Sequence, residues 1–333
     1  MFKILKRFKI FFIVLIVFLF IIFLLSRDYI FNKKELSYGV TFSKKQAEDL
    51  GLDWQEMYKA LFDDLEVKKI RLSAYWDEIE PENNKFDWSD LDWQVKQASY
   101  AGAEIILAVG YRLPRWPECH YPEWVEKLDK NTKDEELLSY ITAVIGHYKE
   151  NTNIIAWQVE NEPFLPHFGE CPVPDKELLD NEIRLVKMLD ARPIIMTDSG
   201  ELSVWVPAAK RADIFGTTMF RDTYSKQLER YIHYPLEPGF FRFKKNITRF
   251  FTRPEKWIVI ELQAEPWGPE PFQNLSKEER EKTMNLEKFK EIIEFSSKTG
   301  FSEFYLWGVE WWYWEREVNG DGGLWEEARI LFN

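Results

Sequence analysis

The chain has 333 residues, 45% of them hydrophobic and 17% aromatic with 15 Trp, and a formal net charge of −12. Residues 1–34 hold seven Lys/Arg and one acid, so the remainder carries −18, which excludes a nucleic-acid-binding body because phosphate contacts need a basic face. Two cysteines, Cys119 and Cys171, show no Cys-x-x-Cys or Cys/His spacing, so no zinc site is expected. No other metal and no cofactor is expected either.

The first element in chain order is an apolar run, Ile10 to Leu25, preceded by Lys3, Lys6, Arg7 and Lys9. It is slightly shorter than the roughly 20 residues a spanning helix prefers, and Phe8 with a snorkelling Lys9 can extend it. It ends in Leu24-Leu25-Ser26-Arg27-Asp28-Tyr29 without a small-residue cleavage site. The reading is an uncleaved single-pass transmembrane anchor. Residues 1–34 then comprise a basic cytoplasmic stub and the anchor, and residues 35–333 form a catalytic domain outside the cytoplasm.

Eight short apolar runs follow: Leu36–Phe42, Val67–Tyr75, Ala103–Gly110, Asn153–Glu160, Arg192–Thr197, Ala212–Met219, Lys256–Leu262 and Ser302–Trp307. Helical patterns alternate with them over Asp53–Leu65, Leu91–Ala101, Asp134–Glu150, Lys176–Leu189 and Leu286–Thr299, the last closed by Gly300. Eight β-then-α units predict a (β/α)8 TIM barrel. A doubly wound sheet would want a Gly-rich first turn, and Ser37-Tyr38-Gly39-Val40-Thr41 offers none.

In such a barrel the chemistry lies at the C-terminal ends of the strands. Charged and aromatic residues gather there: Arg71 and Trp76 on and after the second strand, Tyr111, Arg112, Arg115 and Trp116 after the third, and Glu160, Asn161 and Glu162 after the fourth. Glu261 ends the seventh and Trp307 the eighth, followed by Glu310, Trp311 and Trp312. Two carboxylates on opposite sides of a Trp-lined mouth suit glycosidic bond cleavage, one as acid/base and one as nucleophile. Trp76, Trp116, Trp267 and Trp311, with Tyr111, are the candidate sugar contacts, although half of these aromatics could be ordinary packing.

Asn161-Glu162-Pro163 after a Trp-containing strand, and Trp257-Ile258-Val259-Ile260-Glu261 as an apolar strand ending in Glu, resemble the clan of retaining glycoside hydrolases built on a (β/α)8 barrel. That clan includes cellulase-like, xylanase-like and β-galactosidase-like families. The resemblance implies Glu162 as acid/base and Glu261 as nucleophile. It implies Asn161 at the sugar 2-hydroxyl, Arg71 beside the nucleophile, and Trp307 as the floor of the subsite. It also implies a carbohydrate substrate with a β-type linkage. The chain departs from the clan where a His or Tyr often follows the sixth strand, since Met219-Phe220 stand there and Tyr224 comes later. His residues often seen on the third and fifth strands are also missing: His120 and His167 lie in loops, His147 in a helix and His233 after the sixth strand.

Glu265 and Glu310 are rivals for the nucleophile, and Glu160 reads as a supporting residue. A transglycosylase would use the same two glutamates, and a non-catalytic glycan-binding barrel would not need both. Cys119 and Cys171 are a candidate disulfide or two free thiols. Asn319-Gly320-Asp321-Gly322-Gly323 is a tight turn rather than a calcium loop, because the ligand spacing is incomplete. Residues 231–251 are basic and aromatic within an acidic body, either a barrel helix with a snorkelling face or an interfacial patch.

Overall fold

The computed structural model describes residues 35–166 and 168–332, together with Phe11, Leu15, Ile16, Val17, Phe20 and Ser26. Most of the expected anchor, and His167, lie outside these residues. Among the described residues no helix is long and apolar enough to cross a membrane.

Among the described residues ten strands run in chain order: β1 (Ser37–Thr41), β2 (Lys69–Ser73), β3 (Glu104–Val109), β4 (Ile154–Val159), β5 (Ile194–Asp198), β6 (Ile214–Met219), β7 (Asp222–Ser225), β8 (Arg230–His233), β9 (Lys256–Gln263) and β10 (Glu303–Trp307). Eight of them close a parallel barrel in the order β1-β10-β9-β6-β5-β4-β3-β2, while β7 and β8 form a separate antiparallel pair. Thus β9 and β10 are the seventh and eighth barrel strands. Each apolar run in the sequence becomes one of these eight strands.

Eight helices of ten residues or more are described: α1 (Trp54–Asp63), α2 (Ser89–Tyr100), α3 (Lys130–Tyr148), α4 (Lys176–Leu189), α5 (Pro238–Arg249), α6 (Leu286–Ser297), α7 (Val309–Asn319) and α8 (Gly323–Phe332). Their starts are written in the sequence. Asp53, Asp129, Asp175 and Asn285 each accept a backbone N–H of the following first turn. Between β5 and β6 the chain has room only for a four-residue helix, Val206–Ala209.

Two apolar layers hold the fold. Ile106, Ala156, Ile195, Ile258, Ile260 and Tyr305 form one cluster from five strands and fill the barrel. Gly39 on β1 admits Tyr305, since a Cβ there would lie 2.9 Å from Tyr305 Cε1 and 2.6 Å from the Lys69 carbonyl oxygen. The outward strand faces pack with the helices into the larger core. At the N-terminal ends of the strands Glu303 is neutralised by Lys69 (2.5 Å) and Lys256 (2.8 Å).

Candidate active site

The site begins with backbone that turns sharply where β4 ends. Glu160 and Glu162 adopt positive φ, 57° and 44°, conformations that cost about 1–3 kcal/mol each unless the surroundings enforce them. The enforcement is visible. Both Glu160 oxygens accept backbone N–H bonds from the loop after β3, from Tyr111 (3.0 Å) and Arg112 (2.7 Å). Gly110 must be glycine beneath them, with φ of 128° and a notional Cβ only 2.3 Å from Glu160 Oε1. The Glu162 N–H donates to Thr197 Oγ1 on β5 at 2.8 Å. Glu160 is therefore the brace between two loops, as its sequence position suggested.

Glu261 reaches the mouth through a bulge. Ile258 and Ile260 both point into the barrel, so strict alternation would turn Glu261 away. Both ladders of β9 slip by one residue at this point: Thr217 faces Val259 but Thr218 faces Glu261, and Phe304 faces Val259 but Leu306 faces Leu262. The extra residue re-aims the next side chain.

Arg71 on β2 ties the cluster together. Its Nη1 donates to Glu261 Oε1 at 2.7 Å, its Nη2 to Asn161 Oδ1 at 2.8 Å, and its Nε to Gln158 Oε1 at 2.8 Å. It is fully buried, so this one cation offsets charge that water cannot reach. With Asn161 Oδ1 engaged, the Asn161 Nδ2 group points the other way and donates to Glu118 Oε2 at 3.1 Å.

Among the described residues Glu162 has no ion-pair partner. Burial, followed by the charges of Glu261, Glu118 and Asp198, pushes its carboxyl well above the usual range, and Arg112 only weakly opposes this. Its Oε1 is buried without a hydrogen-bond partner among the described residues. Two neighbouring carboxyls thus have opposite environments, one paired with guanidinium and one kept protonated, which is the condition for an acid beside a nucleophile. Glu118 is a third carboxyl in the cluster, raised to about 8 by burial and by Glu261.

The two rival glutamates answer to a different cation. Arg115 donates to Glu265 Oε1 from Nη1 and to Glu310 Oε2 from Nη2, both at 2.6 Å. Its guanidinium carbon lies 4.1 Å from the centroid of the Trp307 ring. The Trp307 Nε1 also donates to Glu265 Oε1, at 2.7 Å. Trp307 is at the end of β10 as expected, but one face carries Arg115, so any sugar contact uses the rest of the ring.

The other aromatics divide. Trp116 is 56% exposed, with Lys226 Nζ 5.1 Å from its ring, and is available as a platform. Trp267 is half-buried against Phe168 and Phe220. Tyr111 lines a small cleft with Glu160, Pro163, Phe164 and Glu182. Two expectations are corrected. Trp76 is 1% exposed, stacked on Tyr140 (5.2 Å) and bonded to Glu80, because a helical turn over Trp76–Ile79 rotates the indole into the core. Trp311 is buried against Phe272 and bonded to Glu315, because α7 starts at Val309 and carries it inward. The 319–323 segment is the capped end of α7, with Gly320 left-handed.

Cys119 and Cys171 form a disulfide. It joins the loop of Arg115 and Glu118 to the loop that follows Glu162. Sequence reasoning did not single out Glu118, Arg115 as an ion-pair centre, or Gln158. The available signal was Pro117-Glu118-Cys119, an acid beside a cysteine in the loop after the third strand.

Comparison with known proteins agrees with this arrangement. The family model described as Glycosyl hydrolase family 10 matches residues 29–171, a segment with Arg71, Asn161 and Glu162 but without Glu261 or Trp307. The β-galactosidase BgaA of Clostridium cellulovorans is 22% identical over 243 residues, covering 65% of this chain and 36% of that protein, so the chain spans about a third of its relative. Among solved structures, a family 10 glycoside hydrolase of Paenibacillus barcinonensis superposes with a TM-score of 0.54 at 17% identity, covering 83% of this chain and 84% of the other. The exo-β-1,4-mannosidase Op5Man5 of Opitutaceae bacterium strain TAV5 gives 0.59 at 14% identity, covering 89% and 59%. An endo-β-1,4-xylanase of Gloeophyllum trabeum gives 0.54 at 16% identity, covering 82% and 83%. The likeness to (β/α)8 glycoside hydrolases read from Asn161-Glu162-Pro163 and Glu261 is thus found again by sequence and by fold, with the family within that clan unassigned.

Proposed function

We propose that the protein hydrolyses β-linked glycosides by a retaining double displacement, with Glu261 as nucleophile and Glu162 as acid/base. The observation that carries this reading is the asymmetry of the two carboxyls around Arg71 and Asn161. Glu261 accepts from Arg71 and is fit to attack. Glu162 is buried and raised, and so holds a proton to give.

In the first step Glu261 attacks the anomeric carbon while the Glu162 proton passes to the leaving oxygen, giving a glycosyl ester and the free alcohol. In the second, Glu162 takes a proton from water, the water oxygen attacks the anomeric carbon, and the Glu261 carboxylate leaves. Asn161 Nδ2, which gives one N–H to Glu118, would donate its second to a ring hydroxyl. Three of the named relatives are a β-galactosidase, an endo-β-1,4-xylanase and an exo-β-1,4-mannosidase, and what those names share is the β linkage. This supports the bond type and leaves the sugar open. Residues 1–34 are proposed as a membrane anchor, with the barrel outside the cytoplasm; the apolar run and its flanking charges support this.

A panel of aryl β-glycosides tests the reading on wild type, Glu162→Ala and Glu261→Ala. Glu261→Ala should be inactive and yield an α-glycosyl azide with added azide. Glu162→Ala should keep activity only on good leaving groups and yield a β-glycosyl azide. Unchanged turnover in both variants would sink the proposal. Transfer of the sugar to acceptor alcohols in preference to water would make the same site a transglycosylase.

A further inference from the structure

The helix α5 and the residues after it form a surface unlike the rest of the molecule. Residues 238–253 contain Arg242, Lys244, Lys245, Arg249 and Arg253 and no acid, in a body of charge −18. One side of this segment is docked. Phe241 is buried against Phe295, Lys244 Nζ donates to the Gly200 carbonyl at 2.6 Å, and Lys245 Nζ to the Gly300 carbonyl at 2.5 Å. The other side is not. Phe250 and Phe251 are 74% and 63% exposed, and Ile247, Arg249 and Arg253 are exposed beside them.

A second, independent observation brings the N-terminal run to the first turn of this helix. The Ser26 carbonyl oxygen accepts from Arg242 Nε at 2.8 Å, and Ser26 Cβ lies 3.7 Å from where a Cβ of Gly239 would be. Ser26 directly follows the apolar run Ile10–Leu25. The covalent chain therefore brings that run to the helix whose outer side is aromatic and basic.

We propose that the end of α5 with Phe250 and Phe251 lies in the interface of an anionic lipid bilayer and fixes the barrel's orientation there. Aromatic rings suit the headgroup level, and exposed cations beside them match anionic headgroups. A second copy of this chain is disfavoured, because a two-fold contact would set Arg249 and Arg253 against their own kind. Connectivity fixes the direction. Residue 253 is followed within three residues by the start of β9, so the patch sits at the N-terminal end of the barrel. Leu36, just before β1, is at the same end. The mouth with Glu162 and Glu261 opens away from the lipid.

The test uses the full chain, in vesicles of phosphatidylcholine with phosphatidylglycerol. The two native cysteines are joined, so a nitroxide can be placed through Ile247→Cys, with Leu228→Cys as a control at an exposed site in the β7–β8 turn, at the mouth end of the barrel. At 247 collisions with oxygen should exceed those with an aqueous nickel chelate, and at 228 the reverse. Phe250→Ser/Phe251→Ser should raise nickel access at 247 several-fold. Arg249→Glu/Arg253→Glu should do so in anionic vesicles. Equal nickel access at 247 and 228 would overturn the proposal, as would unchanged depth in the double-serine variant. Spin–spin broadening at 247 that scales with protein density, with no lipid contact, would assign the patch to a second copy instead.

Discussion

Arg71 Nη1 lies 2.7 Å from Glu261 Oε1, and the guanidinium is wholly buried. No water can replace this cation, and removing it would leave a buried carboxyl without its ion-pair partner.

Replacing Arg71 should therefore separate charge from geometry. Arg71→Lys keeps one cation but loses the fork that also holds Asn161 and Gln158. It should fold, with kcat lower by about 10²–10³-fold. Arg71→Met removes the charge and should destabilise the fold by about 3–5 kcal/mol, measured by denaturant unfolding. Wild-type kcat in Arg71→Lys would show that Glu261 is not the reacting carboxylate.

The buried carboxyls make stability depend on pH in an unusual direction. Burial raises Glu118 to about 8, Glu160 to about 7 and Asp198 to about 6. A group raised on folding binds its proton more tightly in the native state, so the native state holds more protons than the unfolded chain. The stability these three groups contribute is complete below the unfolded carboxylate range and is lost as pH rises through these values. Most of this contribution should be lost between pH 5 and pH 8, the largest share from Glu118. Glu118→Gln should flatten this slope above pH 7, as read from melting temperature against pH. An unchanged slope would mean that Glu118 is ionised in the fold at all these values.

The same logic fixes the rate profile. Glu162 must carry a proton to act as acid, and its proton is held well above the usual range. The basic limb of kcat/KM should be missing from Glu162→Gln measured on a substrate with a good leaving group. A basic limb that persists in this variant assigns it to another group, with Glu118 the first candidate.

Two tryptophans should respond in opposite ways. Trp116→Ala, at an exposed ring, should raise KM several-fold and leave the melting temperature within a degree or two. Trp76→Ala, in the core against Tyr140, should destabilise by about 3–5 kcal/mol. A raised KM with intact stability in Trp76→Ala would return that residue to the mouth.

Cys119 and Cys171 are 52 residues apart in sequence. Opening that loop by Cys119→Ser/Cys171→Ser should cost about 4 kcal/mol on the chain-entropy model. Because the bridge joins the loops on either side of Glu118 and Glu162, kcat should fall as well. A variant with normal kcat and lower stability would show that the bridge serves the fold alone.

The barrel was legible because a strand buried on both faces must be a continuous apolar run, and eight such runs stand between amphipathic stretches. Each run matches its strand to within about two residues at either end, as Val67–Tyr75 does for β2. The hairpin of β7 and β8 was not legible, because Asp222–Ser225 and Arg230–His233 are polar and only half-buried. Trp76 and Trp311 were misplaced for one reason: a Trp after a strand end looks the same whether the next helical turn rotates it toward solvent or toward the core.

The sequence by itself determined the fold, the acid pair at Glu162 and Glu261 as candidates, and the positions of Asn161 and Arg71, since strand periodicity and strand order need only local patterns. Only the tertiary structure decided how those groups are charged. Arg71 and Arg115 each serve carboxylates far away in sequence, Glu118 joins Asn161 across 43 residues, and a bulge at Ile260 turns Glu261 inward. Burial and pairing set whether a carboxyl keeps its proton, and both depend on what the closed barrel brings together.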